Sequence, residues 1–198
     1  MENDDIRHIA QRALGRCWGA LFFSVFGACW LLLSAFAFGV VKPLPLVTVA
    51  VSFLLIFRFI LTIQNRAKKV TLGPEDGMRK RDHRVFGVVN LGQWSAIFLI
   101  FAFFPRLGLT NLVFPTALFV IGAHFFFMPP SYRHTSNYVT GAALCIWAVV
   151  CPLFIKGDPM SRTDPRTGEL ALGAGIVLWV SAGWALRSAS RHLQAARL

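Results

Sequence analysis

Four polar side chains sit inside long apolar stretches of this 198-residue chain: Arg58, Asn90, Gln93 and His124. An ionisable residue at such a position costs free energy and marks a candidate functional site. A guanidinium supported by two amides and a titratable imidazole would suit an anion or a lipid phosphate. Asn90 and Gln93 are three residues apart and share a helix face. At 1.5 Å rise per residue, Arg58 lies roughly 7–8 Å inside its stretch, Asn90 about 6 Å, Gln93 about 10 Å and His124 about 5 Å. All four fall in the same third of a bilayer, so a single polar pocket opening to one side is expected to be possible. The alternative stays open. Arg58 and His124 can snorkel to the interface, and Asn90 with Gln93 can bond between helices.

The elements that must position these residues are six apolar runs, near residues 13–38, 44–63, 86–104, 111–127, 138–154 and 170–186. About 18 or more apolar residues cross the ~30 Å hydrocarbon core. Within lipid, backbone polar groups are satisfied by helices or closed barrels only. The expected fold is therefore all-α: a polytopic integral membrane bundle of six transmembrane helices in a single membrane domain, residues 1–198. A hydrophobic fraction of 56% agrees.

Orientation follows from the basic residues. With six alternating spans, one side holds Arg7, Arg12 and Arg16, seven basic residues between Asn65 and Arg84, Arg133, and Arg187, Arg191 and Arg197. The other side holds Lys42, Arg106, Lys156, Arg162 and Arg166. The positive-inside rule puts both termini in the cytoplasm. Ala35-Phe36-Ala37 resembles a signal cleavage site, but the preceding apolar run is long and the leader acidic, so an uncleaved first helix is expected.

The net charge of +11 is then mostly a topology signal, and no nucleic-acid partner is expected. The segment 64–85 reads as a basic cytoplasmic loop that lies against anionic lipid headgroups, each basic residue contributing about 1 kcal/mol. Membrane lipids are the expected partners, with docking of another protein and a homo-oligomer as further possibilities. A second interfacial cluster, Met128 to His134, contains two prolines that stop the fourth helix.

Other chemistry has little support. No Asp or Glu lies inside an apolar run, which disfavours carboxylate-based proton or cation machinery. There is no GxSxG, HExxH or phosphate loop. Asp158-Pro159 and Asp164-Pro165 read as turn starts. Cys17, Cys29, Cys145 and Cys151 have no zinc spacing and read as small hydrophobes. No catalytic residue, metal or cofactor is expected. Gly15-x-x-x-Gly19, Gly141-x-x-x-Cys145 and Ser181-x-x-x-Ala185 allow close helix packing, either within the chain or between copies of it. Pro115 is expected to bend the fourth span.

Three segments, Asn90-Leu91-Gly92-Gln93-Trp94, Ala123-His124-Phe125-Phe126 and Tyr138-Val139-Thr140-Gly141-Ala142-Ala143, resemble stretches of small multi-spanning bacterial inner-membrane proteins. The resemblance implies a bacterial inner-membrane location and a polytopic helical fold, and it implies no activity. Two functions are carried forward. One is an accessory membrane protein that binds a lipid or partner. The other is a small transporter of an anion or uncharged solute with a polar site on the cytoplasmic side. The outer half of the third run, Ala96–Phe104, has no polar side chain, which weighs against a channel.

Overall fold

The computed structural model describes residues 3–40, 43–68, 77–129, 135–155 and 164–195. Lys42, Lys69, Tyr132, Arg133, His134 and the segment 156–163 lie outside the described residues. Among those described, the fold is helical throughout: α1 (Asn3–Ala37), α2 (Pro43–Lys68), α3 (Gly77–Phe103), α4 (Val113–His124), α5 (Thr135–Phe154) and α6 (Pro165–Ala195), with short 3-10 turns flanking α4. Six helical segments are long and apolar enough to cross a membrane: Gly15–Ala37, Val47–Asn65, Arg84–Leu107, Thr110–Phe127, Thr135–Phe154 and Pro165–Gln194.

The helices overrun the apolar runs where nothing stops them. α2 continues to Lys68 and α3 starts at Gly77, so both extend into the basic stretch. Lys and Arg are good helix formers, and a helix need not end where its apolar side chains end. α6 begins at Pro165 because Asp164 caps it. The Asp164 carboxylate accepts the N–H groups of Arg166 (3.1 Å) and Thr167 (3.2 Å), and proline suits the first helical position. The Asp164-Pro165 turn is thus a helix start. The Arg166 side chain then donates to the Ile155 carbonyl (2.9 Å) and ties the end of α5 to it.

Two glycines close the turns at the opposite end from the chain termini. After α1, Val40 N–H bonds Ala35 O and Gly39 N–H bonds Phe36 O, with Gly39 at φ 66°. Gly108, at φ 74°, does the same after the turn at Pro105–Leu107. This pattern needs a left-handed residue just past the helix, which glycine adopts at no steric cost.

The dominant packing is between the first and last helices. α1 and α6 lie antiparallel, in contact from Arg16 to the end of α1. Arg16 meets Ser188, the Trp179 indole N–H donates to Ser24 O (3.1 Å), Leu31 lies over Gly175, and Phe38 lies over Gly168. The seam is lined by small residues: Ala13, Cys17 and Ala20 on α1, and Ala174, Ala182, Ala185 and Ala189 on α6, all buried. Small side chains let backbones approach, and in lipid that dispersion contact is the main driving force for helix association. α2 packs on α1, α3 on α4, and α4 on α5. Adjacent helices thus pair as hairpins, but around a non-sequential pair.

Pro115 and the small-residue motifs divide in what they do. Gly15 and Gly19 have no neighbour within 4 Å of an added Cβ among the described residues, so packing between copies is the alternative left to that motif. The close α1–α6 approach occurs instead at Gly27 and Gly175. Pro115 does not bend α4. It is the third residue of that helix, in the first turn, where the missing N–H breaks no bond. Gly141 does mark a close approach: Gly122 and Gly141 leave no room for a Cβ between α4 and α5, and Cys145 lies beside Gly122.

Candidate functional site

The four intramembrane polar residues divide by helix. Arg58 is exposed on α2, on a stripe with Val51, Leu54, Leu55 and Leu61, which are exposed too. Its backbone carbonyl accepts the Thr62 hydroxyl (3.0 Å), which is a bond within the helix. α2 packs along α1 and touches α6, whereas α3 packs on α4. Arg58 therefore lies on a helix that packs chiefly on α1, while the other three lie on the α3–α4 pair, and among the described residues no hydrogen bond joins it to them.

Asn90 is half-buried and spends its amide on its own helix, donating to Phe86 O (2.9 Å). Gln93, one turn on, is 5% exposed. Its Oε1 is buried and accepts no hydrogen bond from any described residue. The adjacent Trp94 ring packs against Phe26 of α1.

His124 is the last residue of α4 and is also 5% exposed. Its Nδ1 lies 2.6 Å from Ile121 O. A carbonyl can only accept, so the neutral ring carries its proton on Nδ1 and presents Nε2 as a lone pair. That Nε2 is buried and unpartnered among the described residues. The ring packs on Phe125, whose own ring meets Phe23 of α1. α3 and α4 are neighbours, so Gln93 and His124 lie on adjoining helices.

The chemistry of these two free atoms differs from the sequence expectation. Both are acceptors. Buried acceptors without donors are costly, and they complement a molecule that brings O–H or N–H groups. They do not complement an anion.

The buried hydroxyls of Ser24, Thr140 and Ser181 all have partners. Thr140 and Ser181 join α5 to α6 through their hydroxyls (2.6 Å), and each also donates or leans back to its own helix at Ser136 O and Val177 O. The Trp147 indole N–H reaches Leu170 O (3.1 Å). Among the described residues no group of three or more His, Cys, Asp or Glu side chains could hold a metal ion.

A different polar feature escaped the sequence reading. Arg187 and Arg191 entered there only as orientation charges. In the fold they stand on one wall of a cleft of about 390 Å³, with Phe59 of α2 on the other side. The i, i+4 spacing of two arginines at the end of the last apolar run was the available signal, but only the α2–α6 contact makes a cleft of it.

No protein-family model, no curated protein and no solved structure matches this chain. Its function must be read from its own residues.

Proposed function

We propose that the chain is a multi-pass protein of a bacterial inner membrane, with both termini cytoplasmic, and that it acts as an accessory protein holding anionic lipid through its basic cytoplasmic face. One observation carries this reading. The alternating helices put the basic ends of α2, α3 and α6 together with the start of α1, where the apolar segments stop. A membrane-facing surface with that many Lys and Arg side chains attracts anionic headgroups at about 1 kcal/mol each. The reading assigns the chain no catalytic step and no cofactor.

Orientation is tested by cysteine labelling. In intact spheroplasts, an impermeant maleimide should modify Leu109→Cys and spare Ala195→Cys; the opposite pattern refutes the assigned topology. Headgroup binding is tested by thermal unfolding of the detergent-purified chain. Phosphatidylglycerol should stabilise it and phosphatidylcholine should not, and changing Lys80, Arg81 and Arg84 to Gln should reduce the shift. Equal shifts with both lipids would remove the headgroup reading and direct the search to partner proteins.

A second reading has its own support. The buried, unpartnered Gln93 Oε1 and His124 Nε2 favour transport or binding of an uncharged, hydrogen-bond-donating solute over an anion. Solute flux in liposomes that is lost in Gln93→Leu would support it.

A further inference from the structure

We infer that the cleft between α2 and α6 is a seat for one anionic phospholipid molecule, its phosphate held by Arg187 and Arg191. The inference rests on the membrane reading above and gives it a defined site.

The α6 wall is built from one helical face. Gly183, Leu186, Arg187, Ser190, Arg191 and Gln194 recur at intervals of three and four, and all line the cleft. The wall is graded along its axis. Gly183 and Leu186, with Phe59 across from them, form an apolar floor. Arg187, Ser190, Arg191 and Gln194 form a polar mouth toward the chain termini. The two arginines follow directly on the apolar run, so they sit at headgroup depth, about 1.5 and 7.5 Å beyond Leu186. Lipid has the same gradient: acyl chain, glycerol, phosphate.

α2 contains no Asp or Glu, and α6 has none after Glu169. Among the described residues neither Arg187 nor Arg191 has a carboxylate partner. Guanidinium forks match phosphate oxygens two at a time, and paired arginines over a hydroxyl and an amide are well suited to that group. The floor supplies the argument for lipid over free phosphate. Gly183 and Phe59 are both exposed and a Cβ at Gly183 would meet nothing within 4 Å, so the apolar end of the cleft is open to an acyl chain lying against it, a contact that a phosphate alone would not make. The volume lies in the range of small-ligand sites.

The test is native mass spectrometry of the delipidated full chain, titrated with dioleoyl-phosphatidylglycerol or dioleoyl-phosphatidylcholine. The wild type should retain phosphatidylglycerol at much lower concentration. Arg187→Ala with Arg191→Ala should weaken that binding roughly 30-fold, the effect of two surface charges. Gly183→Leu should weaken it as well, because the new side chain occupies the apolar end of the cleft; its first carbon meets nothing within 4 Å, and thermal unfolding of the variant checks that the fold is kept. Unchanged binding in the double variant overturns the seat. Unchanged binding in Gly183→Leu, or displacement of the lipid by equimolar glycerol phosphate, shows a site for soluble phosphate and overturns the lipid assignment. Loss of selectivity only on changing Lys80, Arg81 and Arg84 to Gln also overturns the seat, while leaving the proposed headgroup-binding face in place. Absence of any selective adduct overturns both, and the labelling result then stands alone.

Discussion

α6 and α3 are of similar length, 31 and 27 residues, yet they behave as opposites. Half of the most apolar window of α6 is buried inside the fold, against 11% for α3. Hydrophobicity does not separate them; side-chain size does. α6 presents alanines and glycines to α1, and its backbone comes close enough for hydroxyls and indoles to find partners. α3 carries Val88, Leu91, Trp94 and Phe98 on its surface and keeps its glycines free of contact. Its deeply buried Gln93 is left with an oxygen unpaired among the described residues. Close approach therefore determines both packing and the satisfaction of polar groups.

The largest effect should come from adding one methyl group to each helix. At Gly175, a Cβ would lie 2.6 Å from Leu31 Cγ and 3.1 Å from Gly27 O. Leu31 Cγ is close to the α1 backbone and cannot swing away, so Gly175→Ala should cost about 3 kcal/mol, the upper range for overpacking. At Gly92 the Cβ meets nothing, and Gly92→Ala should gain up to ~1 kcal/mol from helix propensity. Unfolding in detergent followed by circular dichroism reads both. Equal effects would mean that the α1–α6 seam is looser than its geometry shows.

Gln93 gives the next effect, and its sign is informative. An unpaired buried amide oxygen costs roughly 1–3 kcal/mol by mutational measures. Gln93→Leu should therefore raise stability by about 1 kcal/mol if no solute supplies the missing donor. A fall in stability would reveal such a donor and favour the transport reading.

These contrasts show what was legible in the chain. The six apolar runs followed from hydropathy, because each is local in sequence. The α1–α6 pairing was not legible. It joins residues some 150 apart, and its alanine stripe looks like any apolar helix until a partner is placed on it. The same reason misplaced Arg58. Depth along a helix could be counted from the sequence, and it put four polar residues at similar levels. Direction around the bundle could not be, and it separates α2 from α3. Gly15-x-x-x-Gly19 was likewise a correct reading of a packing-competent face without the knowledge of what, if anything, packs there.

A smaller effect is expected at the satisfied pair. Thr140 and Ser181 share a hydroxyl contact of 2.6 Å between α5 and α6. Interhelical hydrogen bonds in membrane proteins average about 0.6 kcal/mol. Ser181→Ala should cost roughly that in the same unfolding assay, and Thr140→Val a similar amount. If both are changed together the loss should not double, because the first change already removes the shared contact. Fully additive losses would show that each hydroxyl acts through its own helix alone.

The smallest effect belongs to Arg58, the residue that looked most like a ligand group. It lies on the exposed stripe of α2 among leucines, and no described side chain pairs with it. A guanidinium in that position extends along the helix to the headgroup layer, and its aliphatic stem covers apolar surface on the way. Replacing it with leucine removes a charge from an already apolar stripe. Arg58→Leu should change stability by no more than ~0.5 kcal/mol, as for surface changes in general. It should also leave the phosphatidylglycerol response intact, in contrast to the Arg187 and Arg191 changes. Arg58 nonetheless precedes Phe59, which lines the α2–α6 cleft. If Arg58→Leu alone abolished the lipid response, the guanidinium would have to reach around the helix into that cleft. The headgroup would then be held from both helices, and α2 would belong to the functional half of the comparison.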